Sequence, residues 1–149
     1  MKILVPVDGS PPALEALRYV LRLRAQGLAL SVLLVNVQST ASLYEMVVAR
    51  DADALAATLR DAGAHALAGA EALCEQAGCD FESEVVQGDA APMLTELAEN
   101  YGCDAIVMGA RGLGGPRSTH LGSVTTEVLR ETTLPVTVVR HVEAATGDA

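Results

Sequence analysis

At 149 residues the chain has the length of one domain. A composition 50% apolar and 19% charged excludes wholesale disorder, and at this size a core large enough to dispense with disulfides or a structural metal is expected. The formal charge of −9 argues against nonspecific duplex binding, and with no Trp, one Phe and three Tyr there are few rings for single-stranded bases to stack on.

Ile3 to Val7 is a continuous apolar run closed by Asp8-Gly9-Ser10, the pattern of a strand buried on both faces followed by a turn. Ser10 before Pro11 and Pro12 predicts a helix start, and the stripe of Leu14, Leu17, Val20 and Leu21 predicts an amphipathic helix that stops near Gly27. Leu28 to Val37 is the second expected strand and Ser39 to Leu43 a loop. The Ala- and Leu-rich stretch from Tyr44 to Gln76 predicts one long helix or two in tandem, with Gly63 and Gly69 each weakening it by about 1 kcal/mol. Phe81 to Val86 is the third strand, and Asp89 is expected to cap a helix ending near Asn100 to Gly102. Ala105 to Met108 is the fourth strand, Gly109 to Gly122 a Gly-rich loop, Ser123 to Glu131 a short helix, and Pro135 to Arg140 the fifth strand. Glu143 to Ala149 is expected to fray.

Strands alternating with helices imply a single-domain, three-layer open α/β sheet: five parallel strands in the order 3-2-1-4-5, with helices on both faces. Ligands in such sheets bind beyond the carboxyl ends of the strands, at the point where strand order reverses. The first and fourth strands, whose ends carry the two unusual loops, are therefore expected to be neighbours there. The last strand is expected at a sheet edge, where a two-fold partner strand through residues 136–142 would satisfy it; the alternative is an edge covered by the chain's own tail.

Charge distribution points to the same region. Residues 51–104 hold twelve acids and the single base Arg60, whereas residues 105–140 hold four arginines and only Glu127 and Glu131. A locally cationic segment in an acidic chain suits a small anionic ligand. Gly109 to Ser123 leaves a strand and enters a helix, so glycine N–H groups can form an anion nest and the first turn of the helix adds its positive end. Ser123 adds a hydroxyl, and Arg111 and Arg117 add positive charge. The spacing is neither a Walker P-loop nor the compact dinucleotide fingerprint. The alternative is a surface loop whose glycines only turn the chain.

Three cysteines, Cys74, Cys79 and Cys103, have no CxxC spacing and fit a reducing compartment. The start of the chain lacks the apolar region and cleavage site of a signal peptide, and no run approaches the roughly 20 residues of a membrane span, so a soluble cytoplasmic protein is expected. His65 has no HExxH partner and His141 is near the tail, which gives a metal centre little support. No nucleophile elbow is present either.

The spacing Gly109-x2-Gly112-x9-Gly122-Ser123, the run MGARGLGG…LGSVTTEVLRETTLPVTVVR and the opening KILVPVDGSPPALEALRYV together resemble the universal stress proteins of the ATP-binding branch. The resemblance covers residues 1–142 as one domain, with 143–149 as a tail. It implies an adenine-nucleotide alpha-hydrolase-like fold that binds ATP or AMP, with Mg²⁺ or Mn²⁺ accompanying the nucleotide, and a homodimer acting in stress adaptation without nucleic-acid or membrane partners. Carried onto this chain, Gly109, Gly112, Gly122, Ser123 and Val124 would contact ribose and phosphates, with Met108, Arg111 and Thr125 beside them. Pro6, Val7 and Asp8 would line the nucleoside, and Val37 would offer backbone groups to the adenine edge. Asn36 stands where many relatives have His, and the loop centre, Pro116 to His120, is more polar than usual.

No catalytic residue is assigned. Asp8 is the one candidate to orient ribose or hold a divalent ion, or else it binds backbone N–H groups of the next turn; His120 suits a solvated loop. Slow ATP hydrolysis, or autophosphorylation at Ser118 or Thr119, is the enzymatic alternative to a nucleotide-responsive regulatory module. A ligand-free interaction protein is the third reading.

Overall fold

The computed structural model describes residues 1–39, 52–111 and 121–140, with side chains of 52–55 left aside. Along the chain run β1 (Lys2–Pro6), α1 (Pro11–Ala25), β2 (Ser31–Gln38), α2 (Ala52–Ala77), β3 (Phe81–Gln87), α3 (Ala90–Asn100), β4 (Ala105–Gly109), α4 (Ser123–Glu131) and β5 (Val136–Val139). All strand pairs are parallel, in the order β3-β2-β1-β4-β5. The expected order and the β1–β4 neighbourhood are both present. The loop expected over 39–43 beyond Ser39, the start of the long helix, the loop centre and the tail lie outside the described residues.

Alternation along the strands divides the core in two. Ile3, Val5, Val7, Val32 and Leu34 face α1 and α2, packing on Leu17, Val20, Leu67 and Cys74. Leu4, Leu33, Val35, Ile106 and Met108 face α3 and α4, meeting Leu94, Ala98 and Val128. Each fully buried Leu or Val contributes roughly 1.5–3 kcal/mol. The buried hydrophobic residues described include no aromatic, as the composition required.

Beyond shifts of a residue or so at element ends, two details differ from expectation. β2 begins at Ser31 and not at Leu28, because its partner begins only at Lys2, which pairs with Ser31. Leu28 instead closes the end of α1, its N–H donating to the Leu23 carbonyl at 3.1 Å. Asp89 occupies the N-cap position of α3, but its side chain makes no capping hydrogen bond. Ser10 does cap α1, its hydroxyl accepting from the Ala13 N–H at 3.4 Å, with prolines in the first turn.

α2 runs unbroken through Gly63 and Gly69. The reason at Gly63 is proximity: a β-carbon there would lie 2.5 Å from Cγ1 and 2.7 Å from Cγ2 of Val85 on β3. A residue unfavourable to helices thus lets α2 lie close on the sheet. At the amino end, Lys2 pairs with Glu82 at 2.9 Å and lies over the Tyr101 ring, while the Tyr101 hydroxyl donates to Glu84.

Gly63→Ala gains about 1 kcal/mol of helix propensity but forces Val85 aside, an overpacking cost of about 1–3 kcal/mol. Urea melts should show a net loss of about 1 kcal/mol, recovered when Val85→Ala makes room. High pH offers a second check. Burial pushes the Cys74 thiol from its ordinary 9.0 up to about 12, so the folded chain keeps a proton that the unfolded chain releases. Stability from this group is intact below about pH 9 and falls as pH rises toward 12. Cys74→Ala should flatten that slope in reduced-protein melts across this window.

Candidate functional site at the carboxyl end of the sheet

Strand order reverses between β1 and β4. Their register, Leu4 beside Ile106, continues to set Pro6 level with Met108. On the other side, Pro6 pairs with Val35, which places Asp8 level with Val37. The predicted residues of three strands therefore converge on one place.

Val7 extends the ladder by one bond, its N–H donating to the Val35 carbonyl at 2.8 Å. Asn36, only 3% exposed, donates from Nδ2 to the Val7 carbonyl at 2.8 Å and accepts at Oδ1 from Gln38 Nε2 at 2.6 Å. Asn36 thereby ties off the end of β1. Alternate residues of a central strand direct their backbone groups to opposite neighbours. Gln38 accepts from Gly88 and Val32 donates to Asp80, both toward β3, so the N–H and C=O of Val37 point toward β1, which has already ended.

Asp8 then turns the chain, one carboxylate oxygen accepting from the Ser10 N–H at 2.9 Å, and Gly9 follows at φ +85°. The backbone-binding reading of Asp8 is thus realised for one of its oxygens.

The end of β4 is built of close main-chain approaches. A β-carbon on Gly109 would sit 3.0 Å from the carbonyl carbon and oxygen of Pro12, so the first turn of α1 rests on that glycine. Gly122 N–H donates to the Ala110 carbonyl at 2.7 Å, returning the chain to the strand end after the loop. The buried Thr125 hydroxyl donates to the Gly109 carbonyl at 2.9 Å and fixes α4 against the same place. Gly122 occupies the N-cap of α4 and, as a glycine, brings no side chain to cap that turn. Ser123 and Val124 are exposed there, and Arg111 is half-buried just beyond β4.

Of the predicted residues, Pro6, Val7, Asp8, Val37, Met108, Gly109, Arg111, Gly122, Ser123, Val124 and Thr125 gather around this end. Gly112, Arg117, Ser118, Thr119 and His120 lie outside the described residues. Val7, Met108 and Thr125 are buried, and their side chains serve packing or the Thr125 tie, so a ligand would meet their main chain.

The structure adds residues that motif spacing did not find. A cavity of about 440 Å³ opens beside Asp8, Asn36 and Gln38, roofed by Ala62, His65 and Ala66 of α2. Ala62, Ala66 and Gly69 recur at helical spacing, and that stripe of small residues was the available signal. Among the described residues no three His, Cys, Asp or Glu side chains gather as metal ligands.

A comparison with family models matches residues 1–140 to the Universal stress protein family. Universal stress protein YxiE of Bacillus subtilis is 31% identical over 145 residues, covering 93% of this chain and 98% of its own. The solved structure of hypothetical protein MJ0577 superposes with a TM-score of 0.83 at 26% identity, covering 96% of this chain and 97% of that one. A universal stress protein solved in complex with cAMP gives a TM-score of 0.61 at 26% identity, with coverage of 94% and 96%.

Thr125→Val keeps the shape of the side chain but strands the Gly109 carbonyl, at a cost of about 1–2 kcal/mol; Thr125→Ser should retain most of it. Thermal melts of the two variants check whether this hydroxyl fastens α4 to β4.

Proposed function

The chain belongs to the universal stress protein family, and from that premise we propose that it binds an adenine nucleotide, ATP or AMP, at the switch point and acts as a nucleotide-responsive regulatory homodimer in stress adaptation. The observation that carries this reading is the return of Gly122 to Ala110 at 2.7 Å, which sets a helix start led by glycine beside the ends of β1 and β4. The first-turn N–H groups of α4, the Ser123 hydroxyl and the Arg111 guanidinium receive the phosphates there.

The remaining geometry suits a nucleoside. Asp8 is placed to accept from ribose hydroxyls, and the backbone groups of Val37 meet the edge of the base beyond the end of β1. Asp8 would be the carboxylate nearest a divalent ion accompanying the nucleotide, and such an ion would supply charge neutralisation there. A relative solved with cAMP supports a nucleotide in this family's fold. Nucleotide changes the protein's state only to the extent that it binds one state more tightly than the other.

The two sheet edges support the dimer. Edge strand β3 carries Glu82 and Glu84, charges that discourage further pairing, whereas edge strand β5 reads Val-Thr-Val-Val. A two-fold partner therefore pairs along β5, with residues 141–142 of the proposed interface beyond the described part. No described helix is long and apolar enough to cross a membrane.

Calorimetry with ATP, ADP and AMP on purified, nucleotide-stripped protein tests the reading. Ser123→Ala, at an exposed position, should weaken binding about fivefold, the loss of one hydrogen bond of ~1 kcal/mol. Gly122→Val should abolish it. A β-carbon at 122 already lies 3.3 Å from Ala110 O and Arg111 Cα, so a melt must accompany that variant. Equal affinity in wild type and a folded Gly122→Val protein would overturn the site.

A further inference from the structure

The last turn of α2 ends in a crossed pair of hydrogen bonds. Cys79 N–H donates to the Cys74 carbonyl at 2.9 Å, and Gly78 N–H donates to the Glu75 carbonyl at 3.1 Å, with Gly78 at φ +66°. This is the Schellman closure, which sets the side chains of its first and sixth residues in contact. That contact is ordinarily between two apolar groups; here both residues are cysteines. Cys74 is fully buried and Cys79 is 4% exposed, and both are free thiols.

Geometry permits a bond between them. Standard bond lengths around a direct N–H···O link of this length hold the two α-carbons within about 6.8 Å, the upper end of the disulfide range. The two thiols are electrostatic neighbours, and Cys79 donates its S–H to the Asp80 carbonyl at 3.5 Å. The Arg24 guanidinium stands beside Cys79, bonded to the carbonyls of Ala77 and Gly78 at 2.9 and 2.8 Å. Ala77, Gly78 and Asp80 are exposed, so a small opening of this turn brings Cys79 to solvent.

We propose that Cys74 and Cys79 form an oxidisable dithiol, a covalent modification site that closes to an intrachain disulfide on reaction with a hydroperoxide. Burial raises both thiols; at Cys79 the Arg24 guanidinium opposes the rise while Asp80 adds to it, whereas at Cys74 the neighbours Cys79, Glu71 and Glu75 all add to it. Cys79 is therefore the attacking sulfur. Its S–O bond forms as the peroxide O–O bond breaks, and the leaving oxygen takes the Cys79 proton. Cys74 then attacks the resulting sulfenic sulfur, the S–S bond forms, and the hydroxyl departs with the Cys74 proton as water. Two thiols lose two electrons in all, and one hydroperoxide becomes one alcohol (water, for hydrogen peroxide) and one further water. Cys103, also buried, has no described thiol neighbour and serves as the internal control.

The test treats the full chain with hydrogen peroxide at about pH 9, the ordinary thiol value, because burial raises both groups above it. Remaining thiols are alkylated in denaturant, and the chain is cut after glutamate. Cleavage at Glu75 separates peptides 72–75 and 76–82, which stay joined only through a disulfide. The expected result is that joined pair, with the loss of two alkylatable thiols per chain, Cys103 still labelled, and full recovery on reduction. Cys79→Ala should leave Cys74 labelled, and Cys74→Ala should leave a Cys79 sulfenic acid that dimedone traps. Separate peptides after Cys103 has been consumed would overturn the proposal, as would undiminished oxidation of Cys74 in a folded Cys79→Ala protein.

Discussion

A β-carbon at residue 109 would stand 3.0 Å from the carbonyl carbon and oxygen of Pro12, and the carboxyl end of the sheet is arranged around that proximity. With hydrogen alone at this position, the first turn of α1 settles on the end of β4. The carbonyl of the same glycine remains available to Thr125, which holds α4 in place. Gly122 repeats the device, with its N–H reaching Ala110 and backbone atoms 3.3 Å from where its side chain would begin. Two helix starts and two strand ends thus share a volume that larger residues would occupy. Main-chain donors come to the surface there.

The same economy of side chains appears under α2. Gly63 brings the helix down on Val85, and the small face of Ala62, Ala66 and Gly69 leaves a hollow beside Asp8 and Asn36. The hollow and the glycine-led start of α4 flank the strand ends from opposite helical layers. An elongated ligand with a planar apolar end and an anionic end matches this division. Asn36 contributes by satisfying the last carbonyl of the β1 segment, which leaves the Val37 backbone directed at the gap.

Much of this was legible in the residue order. Apolar runs such as Val32 to Val35 marked buried strands, Ser10-Pro11-Pro12 marked a helix start, and alternating elements implied the parallel sheet with β1 beside β4. The glycine spacing after β4 marked the region of the proposed site. Other features were hidden because they arise from pairing across the fold. The start of β2 is set by where β1 begins, and no local signal at Leu28 reports that. Gly63 reads as a weak point of a helix until Val85 is seen beneath it. Asn36 reads as a departure from relatives until its amide is seen on Val7. Met108 and Thr125 lie where the motif placed them, yet their side chains face inward, a direction that spacing alone does not fix.

The two margins of the sheet differ in a way that bears on the size of any assembly. At one margin Glu82 and Glu84 project from β3, with Lys2 and Tyr101 drawn toward them; at the other, β5 offers short, uncharged backbone. The proposed pairing through β5 would consume that margin in both copies and leave the acidic rims of β3 outward. Growth by that route would halt after a single step, with no open-ended ribbon laid down.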